Sequence, residues 1–262
     1  MQKRVDIGKA IRYERIFNPS TGKTVLIPLD HGILQGPISG IENPAETIRQ
    51  VISGGANGVI FNAGLASSLY PEYMNRCGSI FNLTNAISDP NNLTIISSVE
   101  YAVRNCADGI SVQIIVGSPN ELDMLRNACK VANKCARWGI PLLAMVYPTE
   151  EVLLDKGKAV ELLAARAGAE LGADIVKTSY TGDRQSFKML VDTCPVPLVI
   201  AGGPQKDTLH EVLEMVEDAM ACGAAGVALG RNVWQSKDPI KTTKAIVDIV
   251  HHGKSVKELE CL

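Results

Sequence analysis

The amino-acid sequence predicts an α/β fold, a closed (β/α)8 TIM barrel with an N-terminal capping helix. Three features of the chain point to it. Short aliphatic and β-branched runs alternate with segments of helical periodicity, the order that produces a parallel sheet. One junction recurs four times, as GGANGVIF, CADGISV, LGADIVK and CGAAGVAL, each a helix end and a small residue followed by a buried strand. The length of 262 residues suits the roughly 250 that eight strand-helix units occupy.

Taken in order, Asp6 to Phe17 reads as an amphipathic helix that closes the bottom of the barrel. Nine strand candidates follow: TVLIPLD, GVIFN, SIFNL, LTIISS, GISVQIIV, PLLAMVY, DIVKTSY, PLVIAG and GVALG. Eight fill the barrel. Either SIFNL or LTIISS is supernumerary and half of a local hairpin, because the loop TNAISDPNN between them has no room for a helix. Helical periodicity runs through PNELDMLRNACKVANKCARW, GKAVELLAARAGAEL, RQSFKMLVDTC and TLHEVLEMVEDAMACG. At the junctions, glycine suits a left-handed helix end and alanine allows helix and strand to approach closely. An open doubly wound sheet would carry Gly-x-Gly-x-x-Gly after its first strand, where LDHGILQG stands instead. No linker rich in Pro, Gly or Ser interrupts residues 1–262, which implies one domain, and HHGKSVKELECL reads as a surface helix or tail.

Composition narrows the function classes. The chain is 46% hydrophobic and 21% charged with a formal net charge of -2, so it offers no basic field for nucleic acid. Apolar runs such as PLLAMVY fall far short of the roughly 20 residues that span a bilayer. The opening MQKRVDIGKAIRYERIF lacks the apolar segment of a secretory signal, so a cytoplasmic location is expected. The cysteines, Cys77, Cys106, Cys129, Cys135, Cys194, Cys222 and Cys261, form no Cys-x-x-Cys pair and read as reduced, buried small hydrophobes with the last in a solvated tail. His31, His210, His251 and His252 show no zinc spacing with an acidic third ligand, which disfavours a metal-dependent mechanism.

In such a barrel the chemistry sits at the C-terminal ends of the strands. Lys177, inside DIVKTSY, is a charge where a strand wants an apolar residue. Burial disfavours its ammonium form, and a free amine can attack a ketone to form a Schiff base. The alternative is a lysine that snorkels out or pairs with a carboxylate such as Asp30. Asp30, after the first strand, and Tyr147, at the end of PLLAMVY, offer a base and an acid for carbon–carbon bond cleavage; the alternatives are a structural carboxylate and a hydrogen-bonded core tyrosine. His31 fits an accessory polar contact and a structural role equally, and Ser179 is a further accessory candidate. After the last two strands, AGGP with Gly202 and Gly203, and GRN with Gly230 and Arg231, have the residues of a phosphate site, although turns alone also use such glycines.

PLDHGILQGP, AMVYP, VKTSYTGD, VIAGGP and ALGRNVWQ together resemble the archaeal-type class I aldolases, the group of fructose-bisphosphate aldolase and 2-amino-3,7-dideoxy-D-threo-hept-6-ulosonate synthase. The likeness extends from ERIFNPSTGKTV to IVDIVHHG. It implies a barrel enzyme with no metal or other cofactor, Lys177 as the Schiff-base residue, Asp30 and Tyr147 for protons, phosphate contacts at Gly203, Gly230 and Arg231, and a homo-oligomer, often a decamer. Two departures bear on substrate. Where the family often continues Tyr-Pro-Arg-Gly this chain has YPTEE, with Thr149 and Glu150, and where many relatives carry a lysine it has Ala63. Both put recognition of a second phosphate in doubt.

The expected activity is metal-independent cleavage or formation of a phosphorylated ketose, fructose 1,6-bisphosphate first. Next comes a transaldolase-type synthase that joins a ketose phosphate fragment to aspartate semialdehyde. A thiolase of phosphorylated autoinducer-2 shares RIFNP, DHG, QGP and GRN but lacks the tyrosine-proline pair kept here at Tyr147. A barrel that binds a sugar phosphate without turnover is the non-enzymatic alternative. In each case the partner is a small phosphorylated sugar, with no nucleic acid and no membrane.

Overall fold

Strands buried on both faces need a cover of helices outside and a filled interior, and the barrel supplies both. The computed structural model describes residues 6–260. Its strands are β1 (Thr24–Pro28), β2 (Gly58–Asn62), β3 (Gly78–Asn82), β4 (Thr84–Asn85), β5 (Thr94–Ile95), β6 (Gly109–Val116), β7 (Leu142–Pro148), β8 (Ile175–Ser179), β9 (Leu198–Ala201) and β10 (Gly226–Ala228). Eight of them, all parallel, close in the order β1-β2-β3-β6-β7-β8-β9-β10 with β10 paired back to β1. The barrel is therefore the (β/α)8 fold that the sequence predicts. SIFNL belongs in it as β3. LTIISS is the supernumerary run, and its Thr94–Ile95 pairs antiparallel with Thr84–Asn85.

The helices are α1 (Ile7–Ile16), α2 (Gly32–Gln35), α3 (Pro44–Ser53), α4 (Ala66–Tyr73), α5 (Val99–Arg104), α6 (Glu121–Trp138), α7 (Glu150–Lys156), α8 (Ala159–Glu170), α9 (Arg184–Thr193), α10 (Leu209–Ala221), α11 (Arg231–Trp234), α12 (Pro239–His252) and α13 (Val256–Glu260). None is long and apolar enough to cross a membrane. The C-terminal run expected to be a surface helix or tail is helical in α13, with Val256 buried.

α1 closes the bottom as predicted. Asp6 caps it by accepting from the Lys9 N–H at 3.0 Å. Ile16 and Phe17 join Leu26, Ile60, Ile80, Leu143, Met145, Ile175, Val199 and Ala228 in the barrel interior. Three cations of the helix reach groups that lie just before strands: Lys9 Nζ to Asp174 at 2.7 Å, Arg12 to the Gly139 carbonyl at 2.9 Å, and Arg15 to Asp108 at 3.0 Å. The interior is thus packed from below, which leaves the upper end for a cavity.

The recurring junctions have two kinds of position. Gly55, Gly172 and Gly223 take φ near +95 to +99°, the left-handed helix end. In CADGISV a cysteine does this instead: Cys106 adopts φ 59° and is exposed. Cys129, on the outer face of α6, is exposed too, so these two correct the expectation of buried thiols; Cys261 lies outside the described residues. The second position opens the strand. At Gly226 (φ +146°) a Cβ would lie 2.0 Å from the Thr24 carbonyl oxygen, because β1 and β10 meet there. Gly226→Ala is expected to cost about 3 kcal/mol and lower the thermal unfolding midpoint by roughly 10 °C, measurable by calorimetry.

Candidate active site

The cavity lies at the C-terminal ends of the strands and has a volume of about 310 Å3. Asp30, His31, Tyr147, Lys177, Ser179, Gly202, Gly203, Gly230 and Arg231 all line it. Every candidate named from the sequence is therefore brought to one place. Ala63 is fully buried and Thr149 caps α7 through an N–H bond from Val152 at 3.4 Å; neither lines the cavity, nor does Glu150.

Alternation along β8 decides where Lys177 points. Ile175 faces the barrel interior and Val176 the outer helix layer, so Lys177 faces inward again. It is 7% exposed and sits opposite Met145 of β7, whose sulfur lies 3.8 Å from Nζ. The lysine does not snorkel. Burial lowers its pKa below the ordinary lysine value, with the Asp30 charge opposing. A larger share of free amine at neutral pH is the consequence.

Tyr147, two residues after Met145 on β7, presents its ring to the same space. Burial raises the pKa of its phenol, and the Asp30 charge adds to this, so the group stays protonated through the neutral range. An amine of lowered pKa, a carboxyl group and a phenol in one cavity are what carbonyl addition with proton transfer requires.

Asp30 is held by three asparagines that the sequence reading passed over. The side-chain amide of Asn82 donates to Asp30 Oδ2 at 3.0 Å, while those of Asn62 and Asn85 donate to the Asp30 carbonyl at 2.9 and 3.1 Å. Asn62 and Asn82 are register partners at the ends of β2 and β3. The signal was present, since both strands end in the same Ile-Phe-Asn. On the other flank, His31 Nδ1 is 3.6 Å from Asp30 Oδ1, and the ring packs edge-on against Trp234 with centroids 5.4 Å apart. Burial lowers the His31 pKa; the Asp30 charge opposes this, and Lys177 and Arg231 add to it. Gln113, a polar residue within the apolar run of β6, lines the cavity together with Asn82 and Asn85.

The two glycine loops form a single structure. Arg231 donates from Nη2 to the Gly203 carbonyl at 3.0 Å. The buried Asn232 side chain donates to the carbonyls of Gly202 (2.9 Å) and Pro204 (3.2 Å) and accepts from the Lys206 N–H at 2.7 Å. The sequence assigns Asn232 no role beyond its place in GRN, yet in the structure it is the clasp between the loops. Gly203 has φ +65°, which glycine adopts without strain. Gly230 is tightly enclosed, because a Cβ there would come within 3.1 Å of both His31 and the Pro28 carbonyl and would require them to yield by a few tenths of an ångström.

A barrel with a buried lysine on its sixth strand and clasped glycine loops after its last two is a class I aldolase-type barrel. Known proteins agree. A family model described as DeoC/LacD family aldolase matches residues 24–236, and the chain belongs to that family. It is 39% identical to a 2-amino-3,7-dideoxy-D-threo-hept-6-ulosonate synthase of Archaeoglobus fulgidus, over 97% of this chain and 95% of that protein. A 2-amino-4,5-dihydroxy-6-oxo-7-(phosphonooxy)heptanoate synthase of Streptomyces griseus is 33% identical, over 97% and 94%. A 3-hydroxy-5-phosphonooxypentane-2,4-dione thiolase of Escherichia coli is 34% identical, over 96% and 85%. Among solved structures, an archaeal fructose 1,6-bisphosphate aldolase superposes with a TM-score of 0.84 at 31% identity, over 94% of this chain and all of that one. A Schiff-base-forming fructose-1,6-bisphosphate aldolase gives 0.84 at 30% identity, over 93% and 100%. The protein is an enzyme of the lyase kind in the archaeal-type class I aldolase group.

Proposed function

We propose that the enzyme forms and cleaves a carbon–carbon bond through an imine between Lys177 and a three-carbon ketone monophosphate, dihydroxyacetone phosphate, and that its aldehyde partner carries no phosphate. The observation that carries this reading is the placement of charge in the cavity. Lys177 and Arg231 are its lysine and arginine, with Arg231 on the clasped glycine loops, while the wall of Asn82, Asn85, Gln113, Pro90 and Leu93 is neutral. One phosphate has a cationic seat there, and a second would face amides and apolar groups.

The product name of the Streptomyces griseus relative has the matching chemistry. A β-hydroxy ketone with its phosphate beside the carbonyl disconnects into dihydroxyacetone phosphate and a four-carbon amino-acid aldehyde. A second reading, fructose 1,6-bisphosphate cleavage, draws on the likeness to the solved aldolases. Product analysis separates them. With dihydroxyacetone phosphate as donor, aspartate semialdehyde should be consumed at least tenfold faster than glyceraldehyde 3-phosphate, and the reverse preference would establish the second reading.

In the cleavage direction the amine of Lys177 adds to the ketone carbon and, with one proton taken up from solvent and returned on hydrolysis, water leaves, giving an iminium that draws electrons from the neighbouring bond. The Asp30 carboxylate takes the hydroxyl proton as that bond breaks and the aldehyde departs. Tyr147 then delivers a proton to the enamine carbon and recovers one from Asp30, so the net transfer is from hydroxyl oxygen to carbon. Water hydrolyses the iminium and restores the amine. Bond formation is the same path in reverse.

The pH dependence follows from the shifts. Imine formation needs the free amine, so kcat/KM should rise with pH until it passes the lowered Lys177 pKa and then level off below the ordinary lysine value. Because the Tyr147 pKa is raised, the phenol should not end that plateau in the neutral range. A kcat/KM profile that instead kept rising to the ordinary lysine pKa would show that burial does not activate the amine.

A further inference from the structure

The Asn82 side chain makes contacts that fix which way its amide faces. Its Nδ2 donates to Asp30 Oδ2 at 3.0 Å and to the Thr84 carbonyl at 2.8 Å. Its Oδ1 accepts from the Thr84 N–H at 3.3 Å, from the Thr84 hydroxyl at 3.4 Å and from the Ser111 hydroxyl at 3.4 Å. A flipped amide would set oxygen against both a carboxylate and a carbonyl, and nitrogen against the Thr84 N–H. Asn82 therefore presents a permanent donor to Asp30, from a side chain that is 2% exposed. Its placement at the end of β3, in register with Ser111 of β6, ties that donor to the barrel wall.

We infer that Asn82 is the positioning residue of the proton-transfer step: it holds one oxygen of Asp30, so that the other oxygen faces the cavity as the base. A donor fixed on Oδ2 holds that oxygen in place and removes rotation about the carboxylate. The inference rests on the assignment of Asp30 above and adds to it the group that makes Asp30 a base of one orientation. Asp30 is also faced by His31 from its own loop, Tyr147 from β7 and Lys177 from β8, with Arg231 of α11 acting on His31.

The test is Asn82→Asp, which preserves shape and replaces the donor by a second carboxyl. Two carboxyls in contact share a proton and titrate as a pair. The variant should lose about 10- to 100-fold in kcat near neutral pH. Its kcat profile should also gain an ionisation absent from the parent. The KM for the donor should stay within about threefold, and borohydride should still trap dihydroxyacetone phosphate on Lys177. Since the other groups facing Asp30 are common to parent and variant, a new ionisation belongs to the new pair. A profile of unchanged shape would overturn the inference, as would equal loss of trapping and turnover. Absence of trapping in the parent would instead overturn the imine assignment itself. Should Asn82→Asp not fold, Asn82→Ala takes its place, with a kcat loss of about tenfold and unchanged trapping expected. Parent-like kcat, or failure of that variant to fold, would show that Asn82 serves the fold alone.

Discussion

Lys177→Met is expected to lose turnover by on the order of 10^4-fold or more, with no covalent adduct, while the barrel folds as before. The size of the effect follows from what the residue is asked to do. Without the amine there is no electron sink, and neither Asp30 nor Tyr147 can cleave an unactivated bond. The fold should tolerate the change because the methionine would occupy a position lined by Met145, between β7 and β9, where the lysine side chain is already buried. Stability should respond with a definite sign. A buried lysine with a lowered pKa is stabilised in its neutral form, so the parent gains stability as pH rises from the lowered value to the ordinary one and loses it as pH falls. Methionine removes that penalty, so the variant should unfold no lower than the parent at pH 7 and above it in acid, by calorimetry. A variant that kept turnover would place the nucleophile elsewhere.

Tyr147→Phe is expected to slow the proton-transfer step by about 10^2- to 10^4-fold and to leave imine formation nearly intact. The ring stays, so the packing of the cavity wall stays; the hydroxyl is what goes. Single-turnover kinetics separate the steps, since the enamine should accumulate when its carbon can no longer be protonated. Borohydride reduces the iminium and not the enamine, so with dihydroxyacetone phosphate added directly it should trap as much adduct in the variant as in the parent. Equal loss in both steps would mean that the hydroxyl orients the substrate instead of moving a proton.

Much of this site was legible because each residue breaks a local pattern. Lys177 interrupts an apolar strand, Asp30 and Tyr147 are polar groups at strand ends, and the glycine pairs stand where the last two strands stop. The barrel was legible for a related reason, since its period is written in repeated helix-to-strand junctions. The shared Ile-Phe-Asn endings mark Asn62 and Asn82 in the sequence without disclosing what either does, and nothing there marks Asn85. An asparagine after a strand reads as a turn former, and only closure of the barrel converts these into buried donors that meet at Asp30. Asn232 was hidden in the same way, because its partners on the neighbouring loop, Gly202, Pro204 and Lys206, lie 26 to 30 residues away in the chain. Cys106 shows the converse limit: the junction needs a left-handed residue there, and the composition of the motif does not say that a cysteine will take it.

The central claim is that the Lys177 amine forms an imine with a ketone phosphate, and covalent trapping tests it most directly. The enzyme would be incubated with dihydroxyacetone phosphate, reduced with borohydride, digested and mapped by mass spectrometry. The expected result is a single adduct of the reduced ketone phosphate on the peptide that contains Lys177, formed in proportion to the activity lost. Full inactivation with the adduct on another lysine, or turnover that persists with Lys177 unmodified, would contradict it.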